Sequence, residues 1–214
     1  MRFDPATDVA EPVGPDLSAH GGGIGIGRWI GGVRAADGRI YLVPSDANRI
    51  VRLDPATDTA EPVGPDLSAD AGGAKWIGGV LSADGQIYFA PCRANRILRF
   101  DPTTNAAVHV GPDLSAHGGG KGKWYGGVLG TDGRIYFVPS HANHVLRLDP
   151  ATNAAEPVGP DLSAYGSDHK WRGGVLGTDG RIYFVPGLGL GLGLGLGLGL
   201  GLGSFLLSFS SFDP

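Results

Sequence analysis

The dipeptide Asp-Pro returns at Asp4, Asp54, Asp101 and Asp149, at spacings of 50, 47 and 48 residues. Between these marks the same order of segments comes round again. Each unit runs from a tryptophan (Trp29, Trp76, Trp124, Trp171) through Gly-Gly-Val, Asp-Gly and Ile-Tyr, then through Asn, Asp-Pro and Gly-Pro-Asp-Leu-Ser. A repeat of this length is one supersecondary unit that cannot bury its apolar face alone, so copies must stack.

Four short strands fit into each unit. Strand a is the Trp-x-Gly-Gly-Val segment, such as Trp76 to Leu81. The Asp-Gly pairs at Asp37, Asp84, Asp132 and Asp179 then supply a tight hairpin turn. Strand b follows as a continuous apolar run, Ile135 to Val138 for example, which suits a strand covered on both faces. Strand c runs from Arg49 to Leu53 and strand d from Thr59 to Val63. Pro12, Pro62 and Pro157 fall in three of the four d segments, and proline belongs on an edge strand. The glycine pairs of strand a suit the opposite position, where backbones crowd round a narrow axis.

Inner a to outer d is the order of a β-propeller blade. The expected class is therefore all-β: a β-propeller of four-stranded antiparallel blades. It has about four blades, three complete and one shared by the two termini, or it is a fragment of a larger ring. The rivals with the same strand count are an open solenoid and a sandwich.

Residues 187–203 are Gly-Leu dipeptides closed by a glycine. From Pro44, Pro91 and Pro139 the next Asp-Pro is ten residues away, but from Pro186 it is 27. Removing the 17-residue tract restores ten, so 187–203 reads as a low-complexity insertion in a b–c loop. Residues 1–186 then form the propeller repeats and 204–214 a degraded strand of the last blade. The uncharged stretch 187–212 is long enough to cross a bilayer. However, alternate glycine weakens a helix and no cationic cluster flanks it, so a membrane span is not expected.

By strand c the residues resemble a known family. Ala47-Asn-Arg-Ile-Val-Arg-Leu-Asp-Pro-Ala-Thr-Asp-Thr-Ala-Glu-Pro-Val-Gly64 is similar to the YVTN-type β-propeller repeat. More loosely the chain resembles lactonase-like and streptogramin-lyase-like propellers. The resemblance implies blade architecture. Such families include sugar lactonases, an antibiotic lyase and many proteins that only bind, so no catalytic residue is carried over.

In such a fold the a–b and c–d turns share one face and the d–a and b–c loops the other. The first set is fixed in sequence and reads as structure. The second varies from copy to copy and holds His20, Asp46, Asp70, Arg93, His117, His141, His144, Asp168 and His169, with Lys75 and Lys121 beside them. Loops on a rigid scaffold are where function concentrates, so this face is the expected binding surface. Asp16, Asp66, Asp113 and Asp161 recur in Gly-Pro-Asp-Leu-Ser and are expected to cap their own loops. Cys92 stands in the slot of Ser45 and Ser140 and reads as an incidental substitution.

The favoured reading is a non-enzymatic binding scaffold presenting these loops to a protein, peptide or glycan, with no cofactor. One alternative is a lactonase- or lyase-like hydrolytic propeller using a divalent cation, and another is a decaying or mispredicted gene product. A net charge of -4 without a basic stripe argues against nucleic acid. The chain is expected to be a monomer, or a dimer if the ring is incomplete. Without a signal peptide it reads as cytoplasmic by default, and as secreted if the N-terminus is truncated.

Overall fold

The computed structural model describes residues 1–17, 27–70, 72–118, 121–187 and 208–209. His20 and nearly all of the Gly-Leu tract lie outside them. The chain begins with a hairpin of β1 (Arg2–Asp4) and β2 (Val9–Glu11). Blade 1 is β3 (Trp29–Arg34), β4 (Ile40–Pro44), β5 (Ile50–Asp54) and β6 (Thr59–Val63). Blade 2 is β7 (Trp76–Leu81), β8 (Ile87–Pro91), β9 (Ile97–Phe100) and β10 (Ala107–Val110). Blade 3 is β11 (Trp124–Leu129), β12 (Ile135–Pro139), β13 (Val145–Leu148) and β14 (Ala155–Val158). Blade 4 holds β15 (Trp171–Leu176), β16 (Ile182–Pro186) and the short β17 (Ser208–Phe209).

Within each complete blade the strands pair antiparallel in chain order, a to d, with the proline-bearing strand at one edge. The a strands β3, β7, β11 and β15 lie one against the next, which makes them the inner ring. The protein is a β-propeller of about four blades, with almost no helix.

Two sequence features set this geometry. The Asp-Gly turns place Gly38, Gly85, Gly133 and Gly180 at φ between 76° and 84°, the left-handed region that a tight hairpin needs. In strand a the pairing slips between the tryptophan and the second glycine, as between Trp76–Pro91 and Gly79–Phe89. This bulge bends the inner strand around the axis.

Between blades the fit is a repeated key and lock. Val33, Val80 and Val128 are each 7% exposed. Each points at the second strand-a glycine of the following blade. A Cβ on Gly79 would lie 2.9 Å from Val33, one on Gly127 3.0 Å from Val80, and one on Gly174 3.1 Å from Val128. The tryptophan of each following blade completes the layer: Trp76 packs with Val43 and Ile50, Trp124 with Ala90 and Ile97, and Trp171 with Val138 and Val145.

The termini differ from expectation. Among the described residues they do not combine into one blade. The β1–β2 hairpin stacks in front of blade 1, where the Arg2 guanidinium meets Asp58 at 2.8 Å and Gly14 approaches Ala60. The same relation recurs between Gly111 and Ala155 of successive blades. The hairpin thus occupies the outer half of a blade preceding blade 1. The Asp58 ion pair and the Gly14 packing hold it at that end of the arc, away from blade 4. At the other end β17 pairs with β16 through Ile182–Phe209 and Tyr183–Ser208. That register is three residues earlier than the ten-residue spacing predicts for strand c. No helix among the described residues is long and apolar enough to cross a membrane.

Candidate functional site

A basic residue precedes every tryptophan: Arg28, Lys75, Lys123 and Lys170. Its backbone ties the blades together. Lys75 N–H donates to Ser45 O at 3.0 Å, Lys123 N–H to Cys92 O at 2.8 Å, and Lys170 N–H to Ser140 O at 3.0 Å. These bonds bring the d–a loop of one blade against the b–c loop of the blade before it. Side chains from four loops can therefore meet.

Asp46, Arg93 and His141 hold the same b–c position in blades 1, 2 and 3, and they end up in three different roles. The Asp46 carboxylate turns inward, accepting from Ala74 N–H at 2.6 Å, and is buried. That inward turn requires Gly73, where a Cβ would come within 2.5 Å of Asp46 Oδ1. Arg93 is exposed, and its guanidinium forms no hydrogen bond or ion pair among the described residues. His141 is buried and fixed by Nδ1 against Gly122 O at 2.6 Å.

Around Arg93 and His141 lies a cavity of about 280 Å³, lined also by Ala74, Lys121, Gly122, Tyr125, Asp168 and His169. His169 stands edge-on to His141 with ring centroids 4.4 Å apart. Its backbone has φ of 47°, a left-handed conformation uncommon outside glycine. Lys121 Nζ lies 2.6 Å from Asp168 Oδ1, and His141 Nε2 lies 3.5 Å from the same oxygen. The Tyr125 ring forms one wall, with the Arg172 guanidinium 5.9 Å above it.

Burial lowers the pKa of both imidazoles, with the Gly122 carbonyl opposing at His141 and Arg172 reinforcing at His169. The Lys121 hydrogen bond lowers that of Asp168. Beneath Tyr125 sits Cys92, whose thiol burial pushes up to about 11, and burial together with Cys92 pushes the phenol up to about 12. At neutral pH the imidazoles are therefore uncharged, Asp168 is a carboxylate and the phenol is intact, beside the side chains of Lys121, Arg93 and Arg172.

Of the residues expected on the binding face, Arg93, His141, Asp168 and His169 converge here together with Lys121. The others serve elsewhere. Asp70 pairs with His109 at 2.9 Å, and His117 packs on Trp124 with centroids 5.7 Å apart. The backbone carbonyl of His144 accepts from the Trp124 indole. His20 lies outside the described residues. Asp66, Asp113 and Asp161 accept from the N–H of Ser68, Ser115 and Ser163 at 2.7–2.8 Å, closing their own loops. Among the described residues no group of three or more His, Cys, Asp or Glu side chains is arranged to hold a metal ion.

Tyr125, Lys123 and Lys170 were missed from sequence, while Lys75 was expected on the loop face and is buried instead. Their signal was the fixed basic-aromatic pair, Lys-Trp or Arg-Trp, in phase with every repeat. Lys75, Lys123 and Lys170 are all buried, and burial lowers the pKa of each. Lys123 Nζ donates to Arg93 O at 3.2 Å, whereas Lys170 Nζ has no hydrogen-bond partner among the described residues and only the more distant charges of Asp161 and Asp168. Replacing a buried, unpartnered polar group with an apolar one of similar shape removes a penalty of ~1–3 kcal/mol. Lys170→Met is accordingly expected to raise the melting temperature by a few degrees in a thermal scan. A lower melting temperature would contradict the idea that this ammonium is a net cost.

The fold is that of several solved propellers. A virginiamycin B lyase from Staphylococcus aureus matches at 18% identity, covering 72% of this chain and 47% of that one, with a TM-score of 0.57. Hydrazine synthase of Kuenenia stuttgartiensis matches at 15% identity, covering 76% and 43%, with a TM-score of 0.56. An auxiliary nutrient binding protein from Bacteroides thetaiotaomicron matches at 15%, covering 72% and 44%, with a TM-score of 0.53. The chain spans about half the length of these structures, and their functions are mixed. At such identities the likeness is one of fold alone. No protein-family model matches the chain, and neither does any curated protein sequence.

Proposed function

We propose that this protein is a non-enzymatic binding propeller, and that the cavity between its loops takes one acidic sugar unit of a glycan partner. The observation that carries this reading is the convergence of Arg93, Lys121, Tyr125, His141, Asp168 and His169 on one cavity of about 280 Å³. All but Tyr125, which stands on β11, come from the loops that vary between otherwise similar repeats. Variation confined to facing loops, with the opposite turns held constant, fits a scaffold that presents a surface.

The donor and acceptor pattern narrows the ligand. With Nδ1 donating to Gly122 O, His141 Nε2 is a bare acceptor beside the Asp168 carboxylate. Two acceptors side by side call for hydroxyl donors. The free Arg93 guanidinium calls for an anion, which it can hold through two parallel bonds. The Tyr125 ring supplies a flat apolar wall. Hydroxyls, a carboxylate and a flat ring face occur together on a uronic acid. The cavity lies at the small end of the roughly 300–1,000 Å³ range of ligand pockets, which suits one sugar ring.

Glucuronic and galacturonic acid oligosaccharides should bind in titration calorimetry. Arg93→Ala and His141→Ala should each weaken binding about tenfold or more, which corresponds to ~1.4 kcal/mol. Acidic peptides of the same charge should bind less tightly. Absence of binding at millimolar sugar, or binding indifferent to both substitutions, would remove this reading.

A further inference from the structure

The key-and-lock series between blades has two unmatched ends. Val33, Val80 and Val128 are each covered by the following blade, but Val175 in the same position is 59% exposed. Val43, Ala90 and Val138 lie under the next tryptophan, but Val185 in that position is 48% exposed. At the other end, Trp76, Trp124 and Trp171 are buried against a preceding blade, while Trp29 is only half-buried and Gly31 and Gly32 are exposed. The three atoms nearest a Cβ on Gly32 belong to its own blade, on Ile40, Tyr41 and Leu42.

The backbone series is open at the same two places. Lys75, Lys123 and Lys170 each donate across a blade junction to Ser45, Cys92 and Ser140. In that pattern the next acceptor is Gly187 O and the first donor is Arg28 N–H. The β1–β2 hairpin stands in front of blade 1 as the outer half of a blade whose inner strands are missing. Arg2 and Phe3 match Arg52 and Leu53, which pair with Tyr41 and Ile40 of strand b. In blade 4 the corresponding strand-b residues are Tyr183 and Ile182, which among the described residues pair at that edge with the two residues of β17.

We infer that these ends join between two copies of this chain, with β15 and β16 of one copy entering the slot beneath the β1–β2 hairpin of the other. Val175 then sits against Gly32, Val185 against Trp29, Arg28 N–H donates to Gly187 O, and β1 takes the place of β17 along β16. Both junctions are identical, so the ring closes on a twofold axis with no end left over. Each copy contributes three complete blades and two halves, which gives a ring of about eight, within the usual propeller range. A second copy is favoured over other occupants because the open face is already shaped for blade 1. The same residue types meet at three junctions within the chain. This inference stands apart from the sugar-binding reading, whose cavity is complete within one copy.

Light scattering on the eluting full-length chain at about 50 μM should give twice the 22.0 kDa of the monomer. Val175→Asp and Val185→Asp should each return it to 22.0 kDa while keeping a cooperative melt, since both side chains are exposed in the single copy. Hydrogen exchange should show the Arg28 amide gaining protection as concentration rises. A monomeric native chain overturns the inference, as does one in which Val175 and Val185 are covered by another segment of the same molecule. A dimer that survives both substitutions overturns it too, and so does a mass growing beyond two copies. Should one variant fail to fold, the other and the Arg28 protection still decide.

Discussion

Gly78→Val is expected to cost roughly 2–5 kcal/mol and to lower the midpoint of urea unfolding by a large fraction. Gly78 has φ of 71°, and a Cβ there would lie 2.8 Å from Gly126 Cα, a backbone atom that cannot swing aside. A β-branched residue in this left-handed conformation is a severe outlier, costing about 1–2 kcal/mol before packing is considered. Forcing branched methyls into a filled site adds ~1–3 kcal/mol. Because this glycine lies where strand a of one blade meets strand a of the next, the strain propagates to blades 2 and 3 together. Typical domains hold only ~5–15 kcal/mol in reserve. Gly85→Ala separates the two contributions: φ is 82° there, but a Cβ would meet nothing within 4 Å. The alanine should cost only the backbone share, ~1–2 kcal/mol. If Gly78→Val proved no worse than Gly85→Ala, close approach of the inner strands would not be what those glycines serve.

That contrast bears on what the sequence could reveal. Both glycines were visible as fixed positions, and each role followed from its surroundings: Asp-Gly from hairpin geometry, Gly-Gly from crowding at the axis. The strands were equally legible. Trp76 to Leu81 and Thr59 to Val63 agree with the observed limits, because the turn residues that bound them act locally. The edge position of strand d followed from proline's missing N–H. Local chemistry repeated in every copy is easy to read, since each copy tests the others.

The site is the opposite case. Asp46, Arg93 and His141 occupy one slot in three blades, and no property of that slot says which side chain turns inward. The facing loop of the next blade decides. Gly73 leaves room for Asp46, and Gly122 presents a carbonyl to His141. The loop-face expectation therefore grouped cavity-lining residues with structural ones, such as Asp46 and His117. The location of the β1–β2 hairpin was hidden for a similar reason. Strand order predicts what the hairpin can pair with, while the Arg2–Asp58 contact with its neighbour holds it in front of blade 1.

Trp124→Ala should be comparably damaging, and it links that scaffold to the site. The indole is fully buried in a cluster with Val80, Tyr88, Ile97, Leu114 and Ile135. Its Nε1–H donates to His144 O at 3.0 Å, and the matching bonds from Trp29 and Trp76 reach Arg49 O and Arg96 O. Removing a buried tryptophan costs ~3–5 kcal/mol through lost burial and the cavity left behind. Losing the donor also strips a partner from a carbonyl at the end of the b–c loop that carries His141. Trp124→Phe keeps most of the volume and should cost ~1–3 kcal/mol, chiefly from that unpaired carbonyl. At a temperature where both variants remain folded, the loop should be displaced in each. The imidazole of His141 should then lose its contact with Gly122 O, which nitrogen-15 spectra of the ring would register as a change in tautomer population. Trp29→Ala is the matched control, since Trp29 makes the same hydrogen bond from a half-buried position. In the isolated monomer it should cost clearly less than Trp124→Ala. Equal losses at the two sites would mean that stacking of successive blades contributes little, and that each sheet holds its tryptophan by itself.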